Sequence, residues 1–300
     1  MVSSKPERRT TRRGQRPAQR PDDLDALVAA ALREDLGGES GDMDVTTHFV
    51  VDADLMGEAR VIAKRGGVLS GGDVAARVFE NVNPPCEYLA VKPDGARLKP
   101  GDEAARVVGS LASILTAERT ALNFLQQLSG IATVTRGYAD ALAGYPGVTL
   151  LDTRKTTPGL RFLERAAVRA GGGHNHRDGL WDAILIKDNH VAAAGGVTEA
   201  INRARRALMP VEVEVDTLEQ LGEALAAGAE MILLDNMSPD LMRRAVEMTA
   251  GRARLEASGG MTLEGAVAAA KAGVDRISVG ALTHSAPALD LSLEVTRTWR

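Results

Sequence analysis

Residues 211–260 read VEVEVDTLEQLGEALAAGAEMILLDNMSPDLMRRAVEMTAGRARLEASGG. Apolar runs that close at Val215, Asp235 and Ser258 return about every 20 residues, and helical stretches at 218–227 and 240–249 lie between them. Asp216 with Glu219 reads as a capping-box start, Ser238 before Pro239 as an N-cap followed by proline at the first helical position, and Gly228 and Gly251 as stops. Strand and helix alternating at that interval are the βα units of a parallel barrel.

The rhythm extends both ways. It begins after Pro146, with strands closing at Asp152 and Lys187, and it continues through a helix at 263–272, stopped by Gly273, to a strand closing at Gly280. These are six strands, whereas a closed barrel of this type has eight, so the expected fold is α/β with an open, incomplete barrel. Active sites of such barrels lie at the C-terminal ends of the strands. Here those ends carry Arg154 and Lys155, Lys187, Glu214, Asp235, Ser258-Gly259-Gly260 and Gly280. Gly259, Gly260 and Gly280 offer loops whose free N–H groups can converge on phosphate.

Residues 150–190, LLDTRKTTPGLRFLERAAVRAGGGHNHRDGLWDAILIKDNH, hold the densest cationic chemistry. Arg154, Lys155 and Lys187 follow apolar strands directly, and His176 and Arg177 follow a glycine run. Guanidinium forks and ammonium point charges at strand ends suit a multiply charged anion. Arg165 and Arg169 read as a solvated helix face, His48 as local structure, and His174 is given no role.

The N-terminal part differs. Residues 1–20 hold seven Lys or Arg and one acid, without hydrophobic periodicity, and read as a disordered basic tail with nothing to bury. A helix follows, with Asp22 as its cap and Gly37-Gly38 as its end; short strands then alternate with glycine turns through 58–63, 87–91 and 104–109, around a helix at 74–82. A long helical region at 117–143 shows a break at Ser129-Gly130. The final alternation of Leu289, Leu291, Leu293 and Val295 with polar residues predicts a half-buried strand returning to the first sheet. The expected organisation is therefore a tail at 1–20, a mixed α+β N-terminal domain at 21–116 joined by a strand at 288–296, and the barrel at 117–287.

Composition narrows the function. The net charge of −4 combines the basic tail with an acidic body, which argues against wide nucleic-acid contact. No apolar run reaches the roughly 18 residues of a membrane helix, so neither membrane nor nucleic acid is an expected partner and the expected location is cytoplasmic. The single cysteine, Cys86, reads as a small buried hydrophobe.

The segments DTRKTTPGLR, GGGHNHRDGLWDAILIKDNH, VEVEVDTLEQ, LLDNMSP, EASGG and ISVGALTHS, with AERTALNFLQQLSGIAT upstream, resemble the nicotinate-nucleotide pyrophosphorylase (carboxylating), or quinolinate phosphoribosyltransferase, family. The resemblance implies an N-terminal α/β sandwich domain, an open α/β barrel, and a homodimer or a larger assembly of dimers. It also implies conversion of quinolinate and phosphoribosyl pyrophosphate to nicotinate mononucleotide, pyrophosphate and carbon dioxide, with Mg2+. By position, Arg154, His176, Arg177 and Lys187 would hold the quinolinate carboxylates, Lys155 would lie between the substrates, and Arg119 would reach in from the neighbouring subunit. Thr153, Ser258, Gly259, Gly260, Val279, Gly280 and Ala281 would contact substrate. Glu214 and Asp235 would stabilise charge on the ribose, through its hydroxyls or magnesium. Rival readings are a phosphoribosyltransferase with another acceptor, an aldolase-like barrel with Lys187 as a Schiff-base nucleophile, and a binding protein working through its tail.

Overall fold

The computed structural model describes residues 21–38 and 43–300; the tail expected at 1–20 lies outside the described residues. Helix α1 (Pro21–Leu36) begins one residue before the expected Asp22 cap, with proline in its first turn, and buries Val28 and Leu32. Helix α2 (Val45–Val50), which contains His48, is capped by Asp44, whose carboxylate accepts the Thr47 N–H at 2.9 Å. Strands β1 (Met56–Ala63) and β2 (Gly67–Val68), helix α3 (Gly72–Glu80), and strands β3 (Glu87–Ala90), β4 (Arg97–Leu98) and β5 (Glu103–Ser110) follow. Cys86 is buried beside them, and burial pushes its thiol up to about 11, which keeps it an inert hydrophobe.

Helix α4 (Leu111–Ala141) runs without the break expected at Ser129-Gly130. Those two residues are there for close approach. A Cβ on Gly130 would collide with the Pro287 carbonyl oxygen, and the Ser129 hydroxyl accepts the Ser70 N–H at 2.9 Å while donating to the Ser70 carbonyl at 3.1 Å. One helix thereby serves two cores: Ile114, Ala117 and Leu125 pack with the first sheet, and Leu128 and Ile131 with the barrel.

The barrel runs β6 (Thr149–Leu151), α5 (Arg161–Ala170), β7 (Ile184–Ile186), α6 (Asp188–Ala194), α7 (Val197–Ala204), β8 (Val211–Val215), α8 (Leu218–Ala226), β9 (Met231–Asp235), α9 (Pro239–Thr249), β10 (Arg254–Ser258), α10 (Leu263–Ala272), β11 (Arg276–Ser278) and α11 (Ala281–His284). Its six strands are all parallel, in the order β6-β11-β10-β9-β8-β7, and β6 and β7 are not paired with each other. The barrel is open. Val213, Val215, Ile232, Leu234, Leu255, Ala257 and Ile277 join the core under the helices, and alternation turns Glu212, Glu214, Glu256 and Arg276 to the opposite, interior face. Two caps differ from expectation. Thr217, not Asp216, caps α8, accepting the Gln220 N–H, while α9 ends on Ala250 at φ 48°, one residue before Gly251. Ser238 and Pro239 start α9 as read from the sequence.

The chain returns as β12 (Leu291–Trp299), antiparallel to β1 with Val61 opposite Leu293. The first sheet is therefore β12-β1-β5-β3, and Ala59, Val61 and Ala63 face a core with Val78, Phe79 and Leu125. Among the described residues no helix is long and apolar enough to cross a membrane.

Candidate active site

The ends of the barrel strands meet through backbone and side chain. After β6, the Lys155 carbonyl accepts the Thr283 hydroxyl at 2.7 Å, and a Cβ on Gly280 would stand 3.0 Å from the Lys155 side chain, so this glycine lets the lysine cross the end of β11. Val279 is buried and donates its N–H to Leu151, and Thr153 accepts the Lys155 N–H. Ends β9 and β10 interlock: the Asn236 N–H donates to the Ser258 carbonyl, its side chain donates to Asp235, and a Cβ on Gly259 would strike Asn236. Gly259 and Gly260 both have left-handed φ, 98° and 50°, and space around Gly260 is open. Ala281 begins α11 directly after Gly280.

Lys187 stands immediately past β7 and reaches Glu214 of β8, Nζ to Oε2 2.7 Å. Arg177 donates to the Ala183 carbonyl at 3.1 Å. Burial lowers its pKa and the Arg154 guanidinium lowers it further, while the Asp182 and Glu212 carboxylates pull the other way. Among the described residues neither guanidinium has a carboxylate within ion-pair distance, and the buried Nε of Arg154 has no hydrogen bond. Arg119 is exposed on α4, away from any ion pair among the described residues.

His176 is placed differently from a free ligand-gripping group. Its Nε2 lies 3.1 Å from Glu212 and 3.3 Å from Glu256, and its Nδ1 accepts the Arg177 N–H at 2.7 Å. Glu256 in turn pairs with Arg276 at 3.1 Å. Glu212 Oε1 and both Glu256 oxygens accept no aligned hydrogen bond, so charge holds this cluster together. Burial and the Arg177 N–H oppose a positive imidazole, but two carboxylates at contact distance outweigh them and raise His176 to about 9. Glu256 is lowered: burial opposes its charge, and His176, Arg276 and Ser278 prevail.

Several residues here were not singled out by the sequence. Asp152, Glu164, Glu212 and Glu256 are buried acids, and Arg165 is 7% exposed, so it is not a solvated helix face. Arg169 is nearer that reading, reaching only the Asn175 side chain. The signal for Glu212 and Glu256 was available in VEVEV and RLEAS, where each alternates with core residues.

The fold defines an open parallel α/β-barrel protein with cationic side chains following its strands. Profiles of the families described as quinolinate phosphoribosyl transferase, N-terminal domain and C-terminal domain, match residues 44–129 and 131–294. A probable nicotinate-nucleotide pyrophosphorylase (carboxylating) of Bacillus subtilis is 44% identical over 276 residues, covering 91% of this chain and 93% of its own. The corresponding protein of Mycobacterium leprae is 45% identical, with 89% and 95% covered. The crystal structure of NadC from Streptococcus pyogenes superposes with a TM-score of 0.85 at 42% identity, covering 94% of this chain and all (100%) of that one. This chain belongs to the quinolinate phosphoribosyltransferase family.

The His176 cluster carries a pH dependence of stability. A folded pKa of about 9 against an ordinary 6.5 means that the stabilisation is full below about 6.5 and is lost as pH rises through about 9. Denaturant unfolding of the wild type and of His176→Gln should show a wild-type advantage that shrinks across this window. A difference independent of pH would show that the native ring is neutral.

Proposed function

We propose that this chain transfers a phosphoribosyl group from phosphoribosyl pyrophosphate to quinolinate, releasing pyrophosphate and carbon dioxide and leaving nicotinate mononucleotide. The observation that carries this reading is the match of both family domains, together with Arg154 and Arg177, which have no carboxylate within ion-pair distance among the described residues. Two adjacent carboxylates on one ring supply the counter-charges that such a pair lacks. His176, with both ring nitrogens engaged inside the protein, offers no free N–H to the substrate.

Breaking the ribose–pyrophosphate bond develops positive charge on the sugar, and Glu214 and Asp235, at the ends of neighbouring strands, are suited to stabilise it. Once the ring nitrogen carries the ribose, the ring itself accepts the electrons left by carbon dioxide, so the protein's work is positioning and charge. Magnesium fits this face in a limited way. The described residues bring three ligand-capable groups together only at His176, Glu212 and Glu256, where Arg276 and His176 already answer the charge. Glu214 and Asp235 instead offer hard oxygens for part of a shell completed by phosphate and water. When bound, the ion would neutralise the departing pyrophosphate.

The fold alone does not choose the acceptor, since human Nicotinic Acid Phosphoribosyltransferase shares it at 14% identity with a TM-score of 0.60. Acceptor choice is therefore the test. Pyrophosphate and carbon dioxide release should require quinolinate, with nicotinate poorer by on the order of 10⁴-fold in kcat/KM, because a site built for a charge rejects the analogue lacking it. Equal turnover of nicotinate would sink this reading.

Arg119, exposed on α4 and without an ion-pair partner among the described residues, is suited to complete the site of a second subunit in a homodimer. Arg119→Ala and Lys187→Ala, each inactive, are unfolded and refolded together. Random pairing makes roughly half the dimers mixed, each with one whole site, so about a quarter of wild-type activity should return. A mixture as inactive as its parents would place Arg119 in its own subunit's site.

A further inference from the structure

Helix α5 carries Arg161, Glu164 and Arg165 at i, i+3 and i+4, which puts them on one face. That face looks at the site. Glu164, fully buried, accepts the Thr157 N–H at 3.2 Å and so holds the loop that leaves Lys155. Arg161 donates to the Thr156 hydroxyl at 3.0 Å and to the Asp178 carbonyl at 3.3 Å. Arg165 donates to the carbonyls of His176 at 2.8 Å and Arg177 at 3.2 Å, and pairs with Asp178 at 2.5 Å and Asp152 at 3.5 Å. Asp152, wholly buried at the end of β6, also accepts the His176 N–H at 2.7 Å and the Asn175 side chain.

Arg154 sits two residues after Asp152, and Arg177 one residue after His176. The two segments that bear Arg154 and Arg177 are thus tied to each other through Asp152 and to α5 through Arg165. We propose that Arg165 is a positioning residue: its fork, braced on Asp152, fixes the spacing of Arg154 and Arg177 and thereby the fit of a dicarboxylate acceptor. The inference rests on the quinolinate reading. A guanidinium bonded to four acceptors inside the protein needs a planar fork with several donors, and a single ammonium cannot reach all four from one position. Burying the charge is costly, and a nonpolar side chain would fill the space more cheaply, so this stability argument alone does not account for it. Control of geometry does.

The test is steady-state kinetics on Arg165→Lys and Arg165→Met, varying each substrate in turn, beside their melting temperatures. Arg165→Lys keeps the buried charge and should fold, yet raise KM for quinolinate on the order of tenfold or more while KM for phosphoribosyl pyrophosphate stays within about twofold. Arg165→Met should lose further kcat/KM for quinolinate; if it does not fold, Arg165→Lys decides. A purely structural role would lower the melting temperature and move both KM values together, and that result, or an unchanged quinolinate KM in folded Arg165→Lys, overturns the proposal. Wild-type protein that does not consume quinolinate would overturn the activity reading and this inference with it. An active wild type with an indifferent Arg165→Lys would overturn the inference alone.

Discussion

The architecture depends on how an open barrel tolerates charge in its interior. Six strands leave β6 and β7 without a shared ladder, and the interior face is lined by Glu212, Glu256, Arg276 and His176 instead of the branched aliphatic layers that fill a closed barrel. Each buried ion there costs desolvation, and each is answered by an opposite charge at about 3 Å. Removing one partner would leave another charge buried and alone. The Arg276–Glu256–His176–Glu212 chain therefore links β11, β10 and β8 to the segment that carries Arg177, and it does so only when every member is present.

From that floor the open face follows. Strand ends deliver Lys155, Lys187, Glu214 and Asp235 from separate elements, and glycines at 259, 260 and 280 keep the loops low enough for side chains to cross. Lys187 pairs with Glu214, whereas Arg154 and Arg177 have no carboxylate partner among the described residues. The buried Arg165, by contrast, is saturated by carbonyls and carboxylates. The contrast separates residues kept for substrate from residues kept for shape.

Much of this was legible in the chain. Alternation after Pro146 gave the barrel, its missing strands gave the opening, and polar residues after apolar runs gave the face. Position along a helix gave less. Arg161, Arg165 and Arg169 recur every four residues, a pattern that a solvated face and an inward clamp write identically, and only packing against Asp152 and Asp178 distinguishes them. Ser129-Gly130 looked like a helix break because glycine usually is one; the reason for it is Pro287, more than 150 residues away, which no local signal reveals. The glutamates of VEVEV alternate with valine plainly enough, but which side of the strand is the barrel interior is a tertiary fact.

The central claim is the proposal that Arg154 and Arg177, which have no carboxylate partner among the described residues, receive the two carboxylates of the acceptor. A crystal structure of the protein soaked with quinolinate tests it most directly. The account predicts one dicarboxylate on the strand-end face, a carboxylate on each guanidinium, with His176 still between Glu212 and Glu256. Quinolinate bound elsewhere, or on this face with neither guanidinium in contact, would contradict it.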